Sequence, residues 1–268
     1  MPIVPGTHVV YTVRPGDSLY LIADQFGTSV PALVEANAYR PPIAMPELIY
    51  PGLKLLVPLP GMSQQSAVLH QVTEGDTLYR LAERYSVGLD MLAAVNRLER
   101  PDILRVAQLI YVPAMVYGIE QGDTLTGIAR RFGVTVTDLI QANEERPGFS
   151  LDLLYPGFRL VVPLPSSANI AVYRPLPGTR IAAGQELTGI ARAFEATVLY
   201  QIRDAANRAV TEERHFMTEE GAPAFSPFRV QLQFDAVPTT PSGTLMVYTR
   251  SAKDGSIQDL VSIPVSFG

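Results

Sequence analysis

The sequence predicts a multidomain chain, with three α+β modules of βααβ order in tandem followed by an all-β sandwich. Two observations carry this. The stretch Val13–Asn37, VRPGDSLYLIADQFGTSVPALVEAN, returns without a gap as VTEGDTLYRLAERYSVGLDMLAAVN at Val72–Asn96 and as IEQGDTLTGIARRFGVTVTDLIQAN at Ile119–Asn143. Beyond residue 164 the apolar period changes from that of a helix to strict alternation.

Within each repeat the apolar spacing is helical twice. Leu19, Ile22, Ala23 and Phe26 form the first stripe, matched by Leu78, Leu81, Ala82, Tyr85 and by Leu125, Ile128, Ala129, Phe132. The second stripe is Val30, Leu33, Val34, Asn37, matched by Leu89, Leu92, Ala93, Asn96 and by Val136, Leu139, Ile140, Asn143. Gly27 and Gly133 end the first helix, and Ser29 and Thr135 cap the second. Repeat two has Ser86 and Gly88 there, so its helix turn is expected to be the least stable. An alternating run such as Val9-Tyr11-Val13 precedes each first helix, and KLLVP, LIYVP or RLVVP follows each second one. Both read as strands. The boundaries are then 1–60 for module one with an amino-terminal arm, 61–67 for a flexible polar linker, 68–113 for module two and 114–164 for module three. Only Ala114-Met115 separates modules two and three, which predicts a fixed mutual orientation.

The PGDSL, EGDTL and QGDTL turns, the IA or LA in the helix, the terminal Asn and the closing PG-x-x-L-x-V-P resemble the LysM peptidoglycan-binding module. The resemblance implies a shallow groove for N-acetylglucosamine glycan between the loop after the first strand and the loop after the second helix. In module one it involves Gly16, Asp17, Ser18, Leu19, Ile49, Tyr50 and Gly52. In module three it involves Gly122, Asp123, Thr124, Leu125, Leu154, Tyr155 and Gly157. Module two supplies Gly75, Asp76, Thr77 and Leu78, but Val106-Ala107 replaces Pro-Gly and the connection from Asn96 is shorter. Its groove is therefore expected to be the weakest.

In the last segment, 165–268, alternating runs at 194–203, 228–235 and 261–267, with turns at 204–207, 238–243 and 253–255, predict about seven strands in a β-sandwich. Pro264 cannot donate to a ladder, which places the final strand at an edge or bulge. The opening IAVYRPLPG and the run SAKDGSIQDLVSIPVSF resemble the immunoglobulin-like (Gmad2) domain of bacterial spore germination proteins. That resemblance implies a spore or cell-envelope setting.

Composition narrows the chemistry. The net charge is −5 with no basic stripe, which argues against nucleic acid. No apolar run is long enough to span a membrane. The amino terminus has no secretory signal pattern, so deposition of a spore layer from the mother cell is one expected route. With Cys 0, disulfides and thiolate chemistry are excluded. His8, His70 and His215 form no metal-ligand spacing, and the pairs Glu144-Glu145, Glu212-Glu213 and Glu219-Glu220 read as solvated. No catalytic residue, metal or cofactor is expected. The Gly-Asp-Ser/Thr turn has two readings that can hold together: a helix cap, in which carboxylate or hydroxyl satisfies helix N–H groups, and a glycan contact. Asn37, Asn96 and Asn143 read as structural. The tyrosines at 20, 39, 50, 79, 111 and 155 divide between sugar-facing rings and core edges.

These readings converge on a non-catalytic cell-wall or spore-envelope protein. Its modules hold peptidoglycan or related glycan, and its sandwich engages an envelope or spore protein. The alternative is a self-assembling subunit of a surface fibre or coat layer, a homopolymer in which the arm at residues 2–5 docks on the sandwich edge of the next chain.

Overall fold

The computed structural model of the chain describes residues 3–37, 49–151 and 153–268. Module one consists of β1 (Thr7–Thr12), α1 (Leu19–Gln25), α2 (Val30–Asn37) and β2 (Lys54–Leu59). Module two consists of β3 (Ala67–Gln71), α3 (Leu78–Arg84), α4 (Leu89–Val95) and β4 (Leu109–Val112). Module three consists of β5 (Ala114–Gly118), α5 (Leu125–Phe132), α6 (Val136–Asn143) and β6 (Arg159–Pro163). The chain forms two compact units. One is Met1–Ser86 with Asn96–Ile128 and Thr135–Pro163; the other is Val87–Val95 with Ala129–Val134 and Leu164–Gly268.

The helices start where a hydroxyl can satisfy a free backbone donor. Ser18, Thr77 and Thr124 accept from Leu21, Arg80 and Gly127 N–H at 3.2, 3.2 and 3.0 Å. Thr135 and Asp138 form a reciprocal capping box at the start of α6. In module one the stripe Leu19, Ile22, Ala23 is buried in a core that includes Val9, Tyr11, Leu33, Leu55 and Val57. Between the helices Gly27 and Gly133 have φ of 62° and 70°, and Ser86 takes the same left-handed conformation at 50°. Its hydroxyl donates to the Asp138 carboxylate at 2.6 Å, so this turn, expected to be the weakest, is tied to module three.

The asparagine that closes each second helix braces it to the last strand. Asn143 Nδ2 donates to Leu139 O and Val161 O at 2.8 and 2.7 Å, while its Oδ1 accepts from Val161 N–H at 2.9 Å. Asn37 does the same with Leu33 and Leu56, and Asn96 bonds both backbone groups of Tyr111.

Each module pairs its two strands antiparallel, but β1 also pairs in parallel with β3, from Thr7↔Ala67 to Val10↔His70. Modules one and two thus share a four-stranded sheet of order β2-β1-β3-β4. The segment between them, expected to be a flexible linker, is bonded at its end: Ser66 Oγ accepts from Val116 N–H at 2.9 Å and Ala67 N–H donates to Gly6 O at 3.2 Å. Residues 3 and 4 of the amino-terminal arm lie along β5 of the same chain. Val4 N–H donates to Val116 O at 2.8 Å and Ile3 bridges to Tyr117.

Glu144-Glu145 is exposed, as expected of a solvated pair, but it is not without partners. The Glu145 carboxylate meets Lys54 of module one and Arg84 of module two, the latter at 3.2 Å. Lys54 N–H donates to Glu145 O at 3.1 Å and Arg84 to Glu144 O at 2.9 Å. The hydrogen bond from Lys54, against the opposing effect of burial, holds the Glu145 carboxyl below its ordinary range.

The carboxy-terminal segment is a two-sheet sandwich. β7 (Ile170–Arg174), β8 (Glu186–Ala191) and β11 (Ser226–Gln231) form one sheet of order β11-β8-β7. β9 (Thr197–Asp204), β10 (Ala209–Met217), β12 (Ser242–Arg250) and β13 (Ile257–Ser266) form the other, of order β10-β9-β12-β13. The alternating run from Phe194 begins as a 3₁₀ turn, Phe194–Ala196, and becomes strand only at Thr197. Val198, Tyr200, Ile202, Leu245, Val247, Val261, Ile263 and Val265 meet Leu187 and Phe228 in the core. β13 is at an edge, as Pro264 requires, but part of that edge is occupied. Gly178 N–H donates to Pro264 O at 2.6 Å and Ile181 N–H to Ser266 O at 2.9 Å. A Cβ on Gly133 would lie 2.9 Å from Pro264 Cδ, so that turn also stands against β13.

The asparagine brace predicts a large local effect. Asn143→Ala leaves both backbone groups of Val161 buried without their partner and should cost about 3 kcal/mol in urea unfolding. Loss of less than about 1 kcal/mol would remove the brace from this role.

Candidate functional site

Two turns meet in each module, both with glycine in modules one and three. In module one the Arg14–Ser18 turn lies beside the loop before β2, joined by the hydrogen bond from Gly52 N–H to Val13 O at 2.9 Å. In module three Gly157 N–H reaches Ile119 O at 2.8 Å. In module two Ala107 N–H makes the same bond to Val72 O at 2.8 Å. The turn is therefore retained although Val106-Ala107 replaces Pro-Gly, with Ala107 held at φ 72° where Gly52 and Gly157 have 95° and 89°.

The residues expected at the groove divide into two sets. Gly16, Ser18, Gly52, Gly75, Thr77, Gly122, Thr124 and Gly157 are exposed, as are Tyr50 and Tyr155, while Ile49 and Leu154 are half-buried. A Cβ added at Gly16, Gly52, Gly75, Gly122 or Gly157 would meet nothing within 4 Å, so the backbone there is open to solvent. Leu19, Leu78 and Leu125 are instead turned into the cores, at 9, 2 and 8 % exposure, which leaves only their backbone at the surface. Of the six tyrosines, Tyr20, Tyr50, Tyr79 and Tyr155 are exposed and Tyr111 is half-buried. Tyr39 lies outside the described residues.

The aspartates are committed inside the turn. Asp17 accepts from Arg14 N–H at 2.7 Å and from the Tyr11 hydroxyl at 2.5 Å, and Asp123 from Glu120 N–H at 2.9 Å and Tyr117 at 2.6 Å. The hydroxyl residue alone caps the helix, while the carboxylate ties the turn to the strand before it. That corrects the reading in which either group served the helix.

Module two performs the same task with different side chains. His70 stands in register with Tyr11 and Tyr117, and Tyr85 with Phe26 and Phe132. His70 is 1 % exposed, with Nε2 3.2 Å from Asp76 Oδ2 and Nδ1 2.9 Å from the Tyr85 hydroxyl. Burial pushes the His70 pKa down, so the ring is neutral; Nε2 then donates to the carboxylate and Nδ1 accepts from Tyr85. Burial alone would raise Asp76, but the hydrogen bonds from His70 and Thr73 outweigh it and hold the carboxyl at about 2. Sequence reading treated the histidines singly and missed this cluster. Its signal was the paired exchange of Tyr and Phe for His and Tyr at aligned positions.

Among the described residues no group of three His, Cys, Asp or Glu side chains is placed to hold a metal ion, and no helix is long and apolar enough to cross a membrane.

Fold and turns together define a tandem array of βααβ modules with an appended sandwich. The chain belongs to the LysM domain family, whose model matches residues 11–58, 70–113 and 117–163. A second model, described as the immunoglobulin-like domain of bacterial spore germination, matches residues 169–256. An autolysin of Enterococcus faecalis is 30% identical over 200 residues, covering 61% of this chain and 26% of the autolysin. A putative sporulation-specific glycosylase of Bacillus subtilis, YdhD, is 34% identical over 95 residues, 35% of this chain and 22% of that protein. The secreted LysM effector ECP6 of Passalora fulva is 27% identical over 165 residues, 51% of this chain and 71% of the effector. The chain thus spans about a quarter of the two bacterial relatives. Among solved structures, the Bacillus cereus spore cortex-lytic enzyme SleL matches 40% of this chain and 22% of its own, at 36% identity and a TM-score of 0.30.

Module two generates three predictions. Tyr85→Phe leaves buried His70 Nδ1 without its donor and should cost about 1–3 kcal/mol, whereas His70→Tyr with Tyr85→Phe restores the pattern of modules one and three and should recover most of it. Folded His70 refuses the proton that the unfolded chain takes up below 6.5, so its contribution is complete above that pH and falls as pH drops below it. The double variant should therefore lose part of the acid slope in Tm and keep the part belonging to His8, which burial and then Arg159 lower to about 4. An unchanged slope would show that His70 does not titrate on unfolding. Separately, Ala107→Gly should raise stability by about 0.5–1 kcal/mol, because the left-handed strain exceeds the entropy cost of glycine. A fall in Tm would refute the strain.

Proposed function

We propose that the chain is a non-catalytic cell-wall or spore-envelope protein that holds N-acetylglucosamine-containing glycan in its LysM modules, with the sandwich engaging another envelope protein. The observation that carries this is the open backbone of the two turns in modules one and three, at Gly16 and Gly52 and at Gly122 and Gly157, with exposed Tyr50 and Tyr155 on the second loop. Tyrosine rings offer an apolar face to a pyranose, and open backbone lets the glycan approach closely. Similarity to an autolysin and to a putative sporulation-specific glycosylase agrees with a wall setting.

The non-catalytic reading draws support from the acidic side chains. A glycosidase acid must stay protonated near neutral pH. Glu145 is held ionised by Lys54 and Arg84, and Glu213 by its hydrogen bond from Arg250. The three modules also suit additive weak binding, since linked copies raise effective concentration. The self-assembly alternative draws less support, because the arm lies on β5 and part of the β13 edge is occupied.

Co-sedimentation with purified peptidoglycan tests the proposal. The protein should appear in the pellet, soluble reducing ends should not accumulate, and Tyr50→Ala with Tyr155→Ala should lower the bound fraction several-fold. Accumulating fragments would overturn the non-catalytic reading, and a pellet free of protein would overturn glycan binding.

A further inference from the structure

The second loop of module two has different chemistry, and it lines a cavity of about 530 Å³. Alignment of β4 with β6 puts Arg105-Val106-Ala107 where module three has Tyr155-Pro156-Gly157 and module one has Tyr50-Pro51-Gly52. The exposed tyrosine of the other two grooves is an exposed arginine here.

A second arginine reaches the same place by a shift in spacing. In module three Arg146 follows Asn143 by three residues; in module two Arg100 follows Asn96 by four. Arg146 is buried, bonding Asn143 Oδ1 at 2.9 Å and stacking over Phe158 at 4.8 Å. Gln108 stands at the Phe158 position in module two, so that platform is missing, and Arg100 is 70% exposed beside Asp102 at 3.4 Å. Arg97, at φ 51°, completes the set, and Arg97, Arg100 and Arg105 line the cavity with Leu98, Ile103 and Gln108. Glu99 is the acidic residue on its wall. Among the described residues Arg97 and Arg105 have no acidic partner, so their guanidinium forks are available.

We propose that this cavity, on the second loop of module two, recognises an oxyanion carried on the wall glycan, a carboxylate or a phosphate, through Arg97, Arg100 and Arg105. Planar guanidinium groups match both anions, and Leu98 with Ile103 supplies an apolar side for the sugar that carries them. The inference rests on the glycan-binding reading and divides its labour. Modules one and three take neutral N-acetylglucosamine, whereas module two, poorest in the features of a neutral groove, takes the charged substituent.

Isothermal titration of the full chain tests this with three probes: neutral N-acetylglucosamine tetramer, the disaccharide of N-acetylglucosamine and N-acetylmuramic acid with a free lactyl carboxylate, and a glycerol phosphate oligomer. At least one anionic probe should bind, and Arg100→Gln with Arg105→Gln should weaken it about tenfold while leaving the tetramer unchanged. Raising the salt should weaken the anionic probe alone. Response to the disaccharide assigns the anion to muramic acid, and response to the phosphate oligomer assigns it to a phosphate polymer. Tetramer binding with no arginine-dependent anion binding would overturn the inference and leave the glycan reading standing. No binding of any probe would overturn both.

Discussion

Each module depends on one asparagine at the end of its second helix, buried in modules one and three and half-buried in module two. β2, β4 and β6 are the edge strands of their sheets, and an edge strand has backbone groups with no neighbouring strand to pair with. The side-chain amide of Asn37, Asn96 or Asn143 has one donor end and one acceptor end, like a peptide unit. It takes the place of the missing strand at Leu56, Tyr111 or Val161. Once that pairing is made, helix, strand and the loop between them are held together, and the second glycine turn can lie against the first. Neither Asp, which lacks the donor, nor Gln, with one more methylene, reproduces this geometry.

The contacts among modules one, two and three add a second level. Parallel pairing of β1 with β3, the arm on β5, and the Glu145 carboxylate between Lys54 and Arg84 bring residues distant in sequence into one unit. None of these needs a long apolar surface. They use backbone groups and a few charges, so the glycine turns can stay at the surface without being drawn into a shared core.

The sequence was informative wherever the physics is local. Gly16, Asp17 and Ser18 recur with the helical stripe behind them, and caps, turns and alternation depend on neighbours only a few residues away. Pro264 likewise indicated an edge, because the lost donor is a property of the residue itself. What was not legible arises between distant segments. Nothing in THVV or AVLH specifies that these strands lie side by side, and nothing in the exposed pair Glu144-Glu145 shows that Lys54 and Arg84 come to meet the second carboxylate. At the candidate site, the two loops were legible from the repeat, but the inward turn of Leu19, Leu78 and Leu125 followed from their membership of the helical stripe. The His70–Asp76–Tyr85 cluster was visible only as a correlated exchange at two columns of the repeat.

The parallel pairing of β1 with β3 changes what a break in the chain would do. The segment 61–65 between modules one and two is exposed and is the kind of turn that proteases reach first. Cutting it would sever the covalent link but not the backbone ladder from Thr7↔Ala67 to Val10↔His70, nor the ion pairs at Glu145. A nicked molecule would stay associated under native conditions and separate only on denaturation, so damage at this turn would not by itself divide the array.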